Sequence, residues 1–183
     1  ITPCQKEYLL AFHKPAGIVC TTSKIDKNNV IDYLNFPERI YPVGRLDKES
    51  TGLLLLTNNG QLMDDVLRGS NYHEKEYIVH VNKPITDSVL QAMAQGVPIL
   101  DTITRPCKIR RMGKDCFYIT LTQGINRQIR RMCEYFDYRV TSLKRIRIMN
   151  IELGSLPVGK WRELTPSEIK TLKNLAQNKG EAE

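Results

Sequence analysis

Apolar and polar residues alternate along the first half of the chain in short blocks that predict β-strands. Leu53 to Leu56 is an uninterrupted apolar run, which predicts a strand buried on both faces. Tyr8 to Phe12 and Ile18 to Thr21 predict two strands that flank a proline-containing turn at residues 13–17. Glu74 to Val81 alternates charged and apolar residues with the period of two that is typical of a strand.

The second half of the chain is predicted to contribute a hairpin, further strands and most of the helices. The hairpin pairs Pro106 to Met112 with Cys116 to Thr122, and two or three strands follow between Arg139 and Leu153. Capping residues and helical spacing predict five helical segments, which are Asn29 to Leu34, Gln61 to Leu67 with its end at Gly69, Thr86 to Gln95, Asn126 to Phe136, and a helix that Thr165 to Glu168 begins and that ends near Gln177.

The order of these elements favours an α+β fold. Helices and strands interleave irregularly with hairpins, which is typical of a mixed, mostly antiparallel sheet rather than a doubly wound parallel one. The chain contains no repeats or obvious linkers, and 183 residues suit one domain, or one domain with two lobes. We therefore expect residues 1–183 to form a single domain, and the final residues, 178–183, to fray.

Composition excludes several classes of protein. No apolar run is long enough to cross a membrane, and the N-terminus shows no signal peptide. The five cysteines (Cys4, Cys20, Cys107, Cys116 and Cys133) are widely spaced, and the three histidines do not complete a ligand set with them. We expect free thiols in a reducing cytoplasm, no metal, and no exposed apolar motif that requires an oligomeric partner.

Positive charge is concentrated in one segment. Between Arg105 and Arg147 there are 12 basic and 3 acidic residues, so the segment carries +12 − 3 = +9. The whole chain carries +7, which leaves +7 − 9 = −2 for the remainder. Such segregation indicates a polyanionic partner, although a solvated charged face is the alternative. Nucleic acid is therefore the partner that the charge pattern favours.

A polar stretch between two glycines directly precedes the apolar run. The sequence Gly44-Arg45-Leu46-Asp47 leads through Lys48 and Glu49 to Gly52. Asp47 would lie on a loop that enters a rigid central strand, which is a usual place for a catalytic group. In the alternative interpretation, Asp47 only caps its own turn.

Several motifs resemble those of the RsuA-type pseudouridine synthases. GRLDKESTGLLLLTNNG resembles the family's central motif, with Asn59 in place of the usual Asp. Four other segments resemble family motifs in the same order along the chain, and they are KPAG from Lys14, KEYIVHV from Lys75, QGINRQIRRM from Gln123, and the closing segment from Leu143 to Glu168. The resemblance thus covers nearly the whole chain, and it implies the pseudouridine synthase fold with a basic active-site cleft.

The chain also departs from the family pattern. Gln123 and Ile125 replace a Glu and an Arg of the third motif, which removes any phosphate contact from that arginine. Met149-Asn150 stands where a glycine is common. Family members usually carry an N-terminal S4-type RNA-binding domain, whereas this chain begins at an interdomain-like Thr2-Pro3. We therefore expect a catalytic domain without its S4 domain.

The resemblance implies three catalytic residues. Asp47 is the essential carboxylate, acting either as a nucleophile towards the sugar or as a base, and it must be ionised. Arg130 is the cation that pairs with it, and Tyr77 stacks on the uracil and takes part in proton transfer. From the residues alone, a half-buried strand aromatic is the commoner fate of a tyrosine at the position of Tyr77. A solvated helix face is an equal alternative for the arginine cluster.

The resemblance and the helical spacing also imply RNA contacts. Arg45 is placed to enter the RNA and fill the gap that a flipped uridine leaves, or else to contact a phosphate. Asn126 and Arg130 are expected on one helix face, directed at Asp47, with Arg127 and Arg131 on the other. The remaining candidate contacts are Lys14, for which a solvated position is the alternative, together with Lys75 and Gln128.

These expectations amount to an isomerase that converts a specific uridine of 23S large-subunit rRNA to pseudouridine without a cofactor or metal. The same chemistry on small-subunit rRNA or tRNA is one alternative, and a non-catalytic RNA-binding module is another. A carboxylate-dependent glycosidase is a third, but it requires a second carboxylate, and Glu49 is the only one near Asp47 in the sequence.

Overall fold

The structure is a computed structural model that describes residues 6–68 and 72–177. Four features predicted from the sequence lie outside the described residues: the Thr2-Pro3 start, Cys4, the helix end at Gly69, and the fraying of residues 178–183. The four described cysteines, Cys20, Cys107, Cys116 and Cys133, are free thiols, as expected. Each helix in the described part of the chain is too short or too polar to span a bilayer.

The described chain contains eleven strands and five helices. In chain order they are β1 (Leu9–Lys14), α1 (Val30–Leu34), β2 (Tyr41–Val43), β3 (Thr51–Thr57), α2 (Gly60–Leu67), β4 (Lys75–Val81), α3 (Asp87–Gln95), β5 (Pro98–Ile99), β6 (Thr102–Ile103), β7 (Lys108–Gly113), β8 (Cys116–Leu121), α4 (Gln128–Tyr135), β9 (Val140–Ile148), β10 (Ile151–Glu152), β11 (Trp161–Glu163) and α5 (Pro166–Gln177).

Nine of these strands form one sheet. Its main order is β11-β1-β3-β9-β4-β8-β7, with β2 paired to β3 and β10 to β9, while β5 and β6 form a separate two-stranded sheet. Only the β3–β9 pair is parallel, and the other pairs described are antiparallel. The predicted α+β fold with a mixed, mostly antiparallel sheet is therefore confirmed.

The apolar run lies in β3, which is paired with β1, β2 and β9. Leu53 and Leu55 pack with α2 and α5, whereas Leu54 and Leu56 pack with α1 on the opposite face. All four leucines are at most 1% exposed, so the prediction of a strand buried on both faces is confirmed. A separate apolar cluster packs α3 and α4 against β4 and β8.

The caps follow the sequence signals closely. Asn29 and Thr86 cap α1 and α3 by accepting hydrogen bonds from Asp32 N and Val89 N. Thr165 and Glu168 form the predicted capping box, in which each side chain accepts the other's backbone N–H. These local interactions explain why the starts of the three helices could be predicted.

Two predicted elements are wrong. Ile18 to Thr21 is not a strand, because its backbone makes only an isolated bridge between Val19 and Asn29. Helix α4 begins at Gln128 rather than Asn126, because Arg127 adopts a left-handed conformation with φ of 52°. Residues 126 and 127 therefore do not share helix faces with Arg130 and Arg131.

Candidate active site

Asp47 lies in the loop that joins β2 to β3. Gly44 begins this loop with a φ of 82°, a conformation that favours glycine. The carbonyl of Asp47 accepts a hydrogen bond of 2.9 Å from Ser50 N, which turns the backbone into β3. The Asp47 side chain is 28% exposed and is engaged in ion pairs with two arginines of the α4 region. The carboxylate therefore does more than cap its own turn.

Arg130 holds the Asp47 carboxylate from the first turn of α4. Its Nε lies 3.3 Å from Asp47 Oδ2, and its Nη2 donates a 2.9 Å hydrogen bond to Ser50 Oγ. Arg130 is 8% exposed, and Ser50 is fully buried. The predicted pairing of Arg130 with Asp47 is therefore present, and Ser50 fixes the orientation of the guanidinium.

Arg127 is a second cation at the same carboxylate. Its left-handed backbone brings Nη1 to 3.4 Å from Asp47 Oδ2 and Nη2 to 2.8 Å from Glu49 Oε1. The prediction that Arg127 faces away from Asp47 is wrong, because it assumed that Arg127 lies within the helix. Asp47 and Glu49 thus share two arginines, and Arg130 Nε also lies 3.7 Å from Glu49 Oε1.

Glu49 is a charged partner of the arginines. A hydrogen bond from its own backbone N–H, together with the hydrogen bond and charge of Arg127, holds the pKa of Glu49 below its usual value. The same hydrogen bond to Glu49 raises the pKa of Arg127. Glu49 is consequently ionised at neutral pH and unsuited to act as a general acid, which argues against the glycosidase alternative.

A cavity of about 640 Å³ opens beside this ion-pair network. Its lining includes Asp47 on one wall, and Tyr77 and Lys75 of β4 on another. Arg45 also lines it and is exposed. The structure therefore brings the predicted carboxylate, aromatic residue and intercalating arginine to one concave site, which is where a small planar group would be enclosed.

Lys14 lies in the interior of the protein. Its side chain is fully buried, and Nζ donates to the carbonyls of Pro15, Lys48 and Ser50 at 2.9, 3.2 and 2.8 Å. Burial lowers the pKa of Lys14. The solvated position considered from the sequence is wrong, and this geometry does not support a phosphate contact. Lys14 instead ties the turn after β1 to the Asp47 loop.

The remaining candidates divide into exposed and buried side chains. Arg131 Nε donates to the Asn126 carbonyl at 2.9 Å, and its Nη2 to Asn126 Oδ1 at 3.0 Å, near the cavity rim. Gln128 is 4% exposed, and its amide contacts Ile125 N and Gln123 Oε1 at 3.3 Å each. Gln128 therefore shapes the loop before α4, a role that does not require direct RNA contact.

Sequence reasoning missed three residues of the site. Glu49 had been considered only as a second glycosidase carboxylate, and Ser50 gave no signal beyond its place in the central motif. Arg145 of β9 lines the cavity, although it is 98 residues away from Asp47 in the chain and its position depends on the β3–β9 pairing. Among the described residues, no three His, Cys, Asp or Glu side chains form a metal-binding group.

Comparison with known proteins supports the resemblance of the motifs. Residues 8–135 match the model of the family described as RNA pseudouridylate synthase. The dual-specificity RNA pseudouridine synthase RluF of Salmonella typhi is 53% identical over 169 residues, which are 92% of this chain and 58% of that protein. The chain thus spans less than two thirds of the length of this relative.

Two further matches cover most of this chain and most of the matched protein. The ribosomal large subunit pseudouridine synthase B of Bacillus subtilis is 34% identical over 91% of this chain and 71% of its own. A crystal structure of a pseudouridylate synthase superposes with a TM-score of 0.84 at 30% identity, covering 94% of this chain and 76% of that one. The chain belongs to the RNA pseudouridylate synthase family.

Proposed function

We propose that this chain is the catalytic domain of an RNA pseudouridine synthase that isomerises a uridine in large-subunit rRNA. The observation that carries the proposal is the Asp47 carboxylate, held by Arg127 and Arg130 on the wall of a cavity that Tyr77 also lines. Membership of the family and the names of the two curated relatives support the same reaction.

The reaction breaks the N1–C1′ bond of uridine, rotates the uracil and forms a C5–C1′ bond. The C5 proton is lost and N1 gains a proton, so there is no net redox change. Asp47 either attacks the sugar at C1′ or removes the C2′ proton, and both routes require its carboxylate form. Two guanidinium groups lie within 3.4 Å of Oδ2 and supply positive charge next to that carboxylate.

Arg127 and Arg130 are proposed to have unequal roles. Arg130 is almost fully buried and is oriented by Ser50, so it fixes Asp47 relative to the sugar. The Arg127 side chain is 40% exposed and also pairs with Glu49, so it can move when RNA enters. Arg130 therefore supplies the constant electrostatic support of Asp47, because an ion pair is stronger where water is excluded.

Tyr77 and Arg45 are proposed to handle the base and the gap that it leaves. Tyr77 is half-buried on β4 and packs against two of the apolar clusters, so its ring is a rigid surface for the detached uracil. Arg45 is exposed at the cavity and free to stack in the RNA where the uridine had been. Flipping the uridine costs a few kcal/mol, which such stacking offsets in part.

The proposed substrate and setting follow from charge and relatives. The +9 segment from Arg105 to Arg147 contains α4 and flanks the cavity, which suits a polyanion. One relative is named a dual-specificity RNA enzyme, and another a large-subunit enzyme, so rRNA is the substrate that we propose. A cytoplasmic, monomeric enzyme is part of the same proposal, and Arg131 and Asn126 at the rim are its expected outer RNA contacts.

Release of tritium from RNA labelled at uracil C5 tests the proposal. We expect release by wild type, and none by Asp47→Asn, which should still bind RNA in a gel-shift titration. Asp115→Asn is the matched control, because it makes the same change at an exposed hairpin turn. Release by Asp47→Asn at the wild-type rate would reject the carboxylate mechanism.

The outcome also separates the enzyme from a binding module. A module that only binds RNA would show salt-sensitive binding in every variant, and no tritium release from RNA in any of them. Release from small-subunit rRNA or tRNA alone would retain the chemistry and replace the proposed substrate.

A further inference from the structure

A second cluster of charge lies in the same cavity, away from the Asp47 ion pairs. Lys75 on β4 and Arg145 on β9 both line the cavity, and Tyr77, two residues after Lys75, pairs with Arg145 across the two strands. Arg145 is 3% exposed. These two cations therefore lie beside the tyrosine that is proposed to carry the uracil.

Neither cation has a compensating carboxylate among the residues that the structure describes. Within residues 6–68 and 72–177, the Lys75 side chain makes no ion pair or hydrogen bond, and Arg145 uses Nε for the Leu53 carbonyl at 2.8 Å. The neighbouring acidic residues point elsewhere, since Glu74 and Glu76 pair with Arg147 at 3.1 and 3.4 Å. Two positive charges thus line the cavity without a carboxylate partner among the described residues.

Two buried nitrogen atoms of residues that line the cavity are also without hydrogen-bond partners in the described part of the chain. They are Arg145 Nη2 and His73 Nε2. Both residues line the cavity, and His73 is 9% exposed. A buried polar atom without a partner costs about 1–3 kcal/mol, so these two atoms mark residues beside the cavity whose hydrogen bonding the protein leaves incomplete.

The charge of the cluster selects the ligand. Uracil is neutral, so it would leave the charges of the partly buried Lys75 and the buried Arg145 uncompensated. An RNA phosphodiester carries one negative charge, and its oxygens accept several hydrogen bonds. Bringing an anion to an unpaired buried cation removes a penalty that the free protein bears.

We propose that Lys75 and Arg145, with His73 at the edge, form a phosphate subsite that holds the RNA backbone next to the flipped uridine. The subsite rests on the proposed function, because only an RNA substrate places a phosphate beside the uracil on Tyr77. It adds Arg145 and His73 to the residues that position the substrate, and it assigns the candidate RNA contact of Lys75 to a backbone phosphate.

Binding of short dinucleotides tests the subsite. The probes are ApU and UpA, each compared with its methylphosphonate analogue, in which the single backbone charge is removed. Dissociation constants are measured by NMR titration for wild type, Lys75→Met and Lys144→Met. The Lys144 change is the matched control, because it removes the same charge from the same strand as Arg145, outside the cavity lining.

With wild type and Lys144→Met, we expect at least one charged dinucleotide to bind about fivefold or more tightly than its neutral analogue. With Lys75→Met, we expect the ratio of the two dissociation constants to fall to about one. Equal affinities with wild type, a ratio unchanged in Lys75→Met, or no saturable binding up to about 10 mM would overturn the subsite. Tritium release by the same wild-type preparation tests the reaction separately, so loss of the subsite and loss of the proposed function remain distinguishable.

Discussion

The guanidinium of Arg130 bridges Asp47 and the buried hydroxyl of Ser50. One edge lies 3.3 Å from Asp47 Oδ2, and the other donates to Ser50 Oγ at 2.9 Å. Because Ser50 directly precedes β3, the arginine ties the carboxylate to a strand that is buried at six of its seven positions. The carboxylate is therefore positioned by the fold rather than by a mobile loop.

Arg130→Lys should lower the rate of tritium release by about 100-fold while RNA binding is retained. A lysine keeps the positive charge but has no planar fork, so it cannot hold Asp47 and Ser50 together. Single-turnover assays with labelled RNA measure the rate, and gel shifts measure the binding. Arg139→Lys, the same change at an exposed position, should leave the rate unaltered. A rate within threefold of wild type for Arg130→Lys would correspond to a change of only about 0.6 kcal/mol in the activation free energy, and it would contradict the bridging role.

Gly52→Ala should destabilise the protein by about 3 kcal/mol or more. Gly52 has a φ of 111°, and a Cβ atom there would lie 2.2 Å from the carbonyl oxygen of Arg145, so β3 and β9 would have to separate. Urea denaturation measures the free energy of unfolding. Gly60→Ala is the control, because a Cβ atom at Gly60 meets nothing within 4 Å. Equal stability of the two variants would show that this close approach of the strands is not required.

Lys14→Met should destabilise the protein by at least about 2 kcal/mol, because three carbonyls lose their hydrogen-bond donor. RNA affinity of the folded protein should stay within about twofold of wild type, since Lys14 is buried. Urea denaturation and gel shifts check the two expectations, with the exposed Lys24→Met as control. Unchanged stability with weaker RNA binding would instead restore the phosphate contact inferred from the sequence.

Much of the fold could be predicted because its signals are local. The apolar run of β3, the caps of α1 and α3, and the Thr165–Glu168 box each involve residues close together in the chain. The Asp47–Arg130 pair spans 83 residues and followed from the resemblance of two motifs, since spacing alone gave only a general helix face.

The unpredicted features depend on long-range packing or on backbone conformation. The burial of Lys14 could not be predicted, because two of its carbonyl partners, on Lys48 and Ser50, lie 34 and 36 residues away in the chain. Arg127 turns towards Asp47 because its φ is positive, which helical spacing does not anticipate. Arg145 reaches the cavity through the pairing of β9 with β3 and with β4. Such placements require the tertiary structure.

Lys75→Met should stabilise the protein at neutral pH by about 1–3 kcal/mol, because it removes a partly buried charge that has no carboxylate partner and keeps most of the aliphatic stem. Burial, and then the charge of Arg145, lowers the pKa of Lys75 from 10.5 to about 8. Between these two pH values the unfolded chain binds the proton and the folded chain does not, so wild-type stability rises with pH across this interval. Below pH 8 both states are protonated, and the full penalty remains.

The stability difference between Lys75→Met and wild type should therefore be largest below pH 8 and should vanish near pH 10.5. Urea denaturation from pH 6 to 10.5 measures it, with Lys144→Met as the charge-matched control. A constant difference across this range would mean that Lys75 titrates normally in the folded protein. Reduced stability of Lys75→Met at every pH would show that Lys75 is held by a favourable contact, and its charge would then not be available to a phosphate.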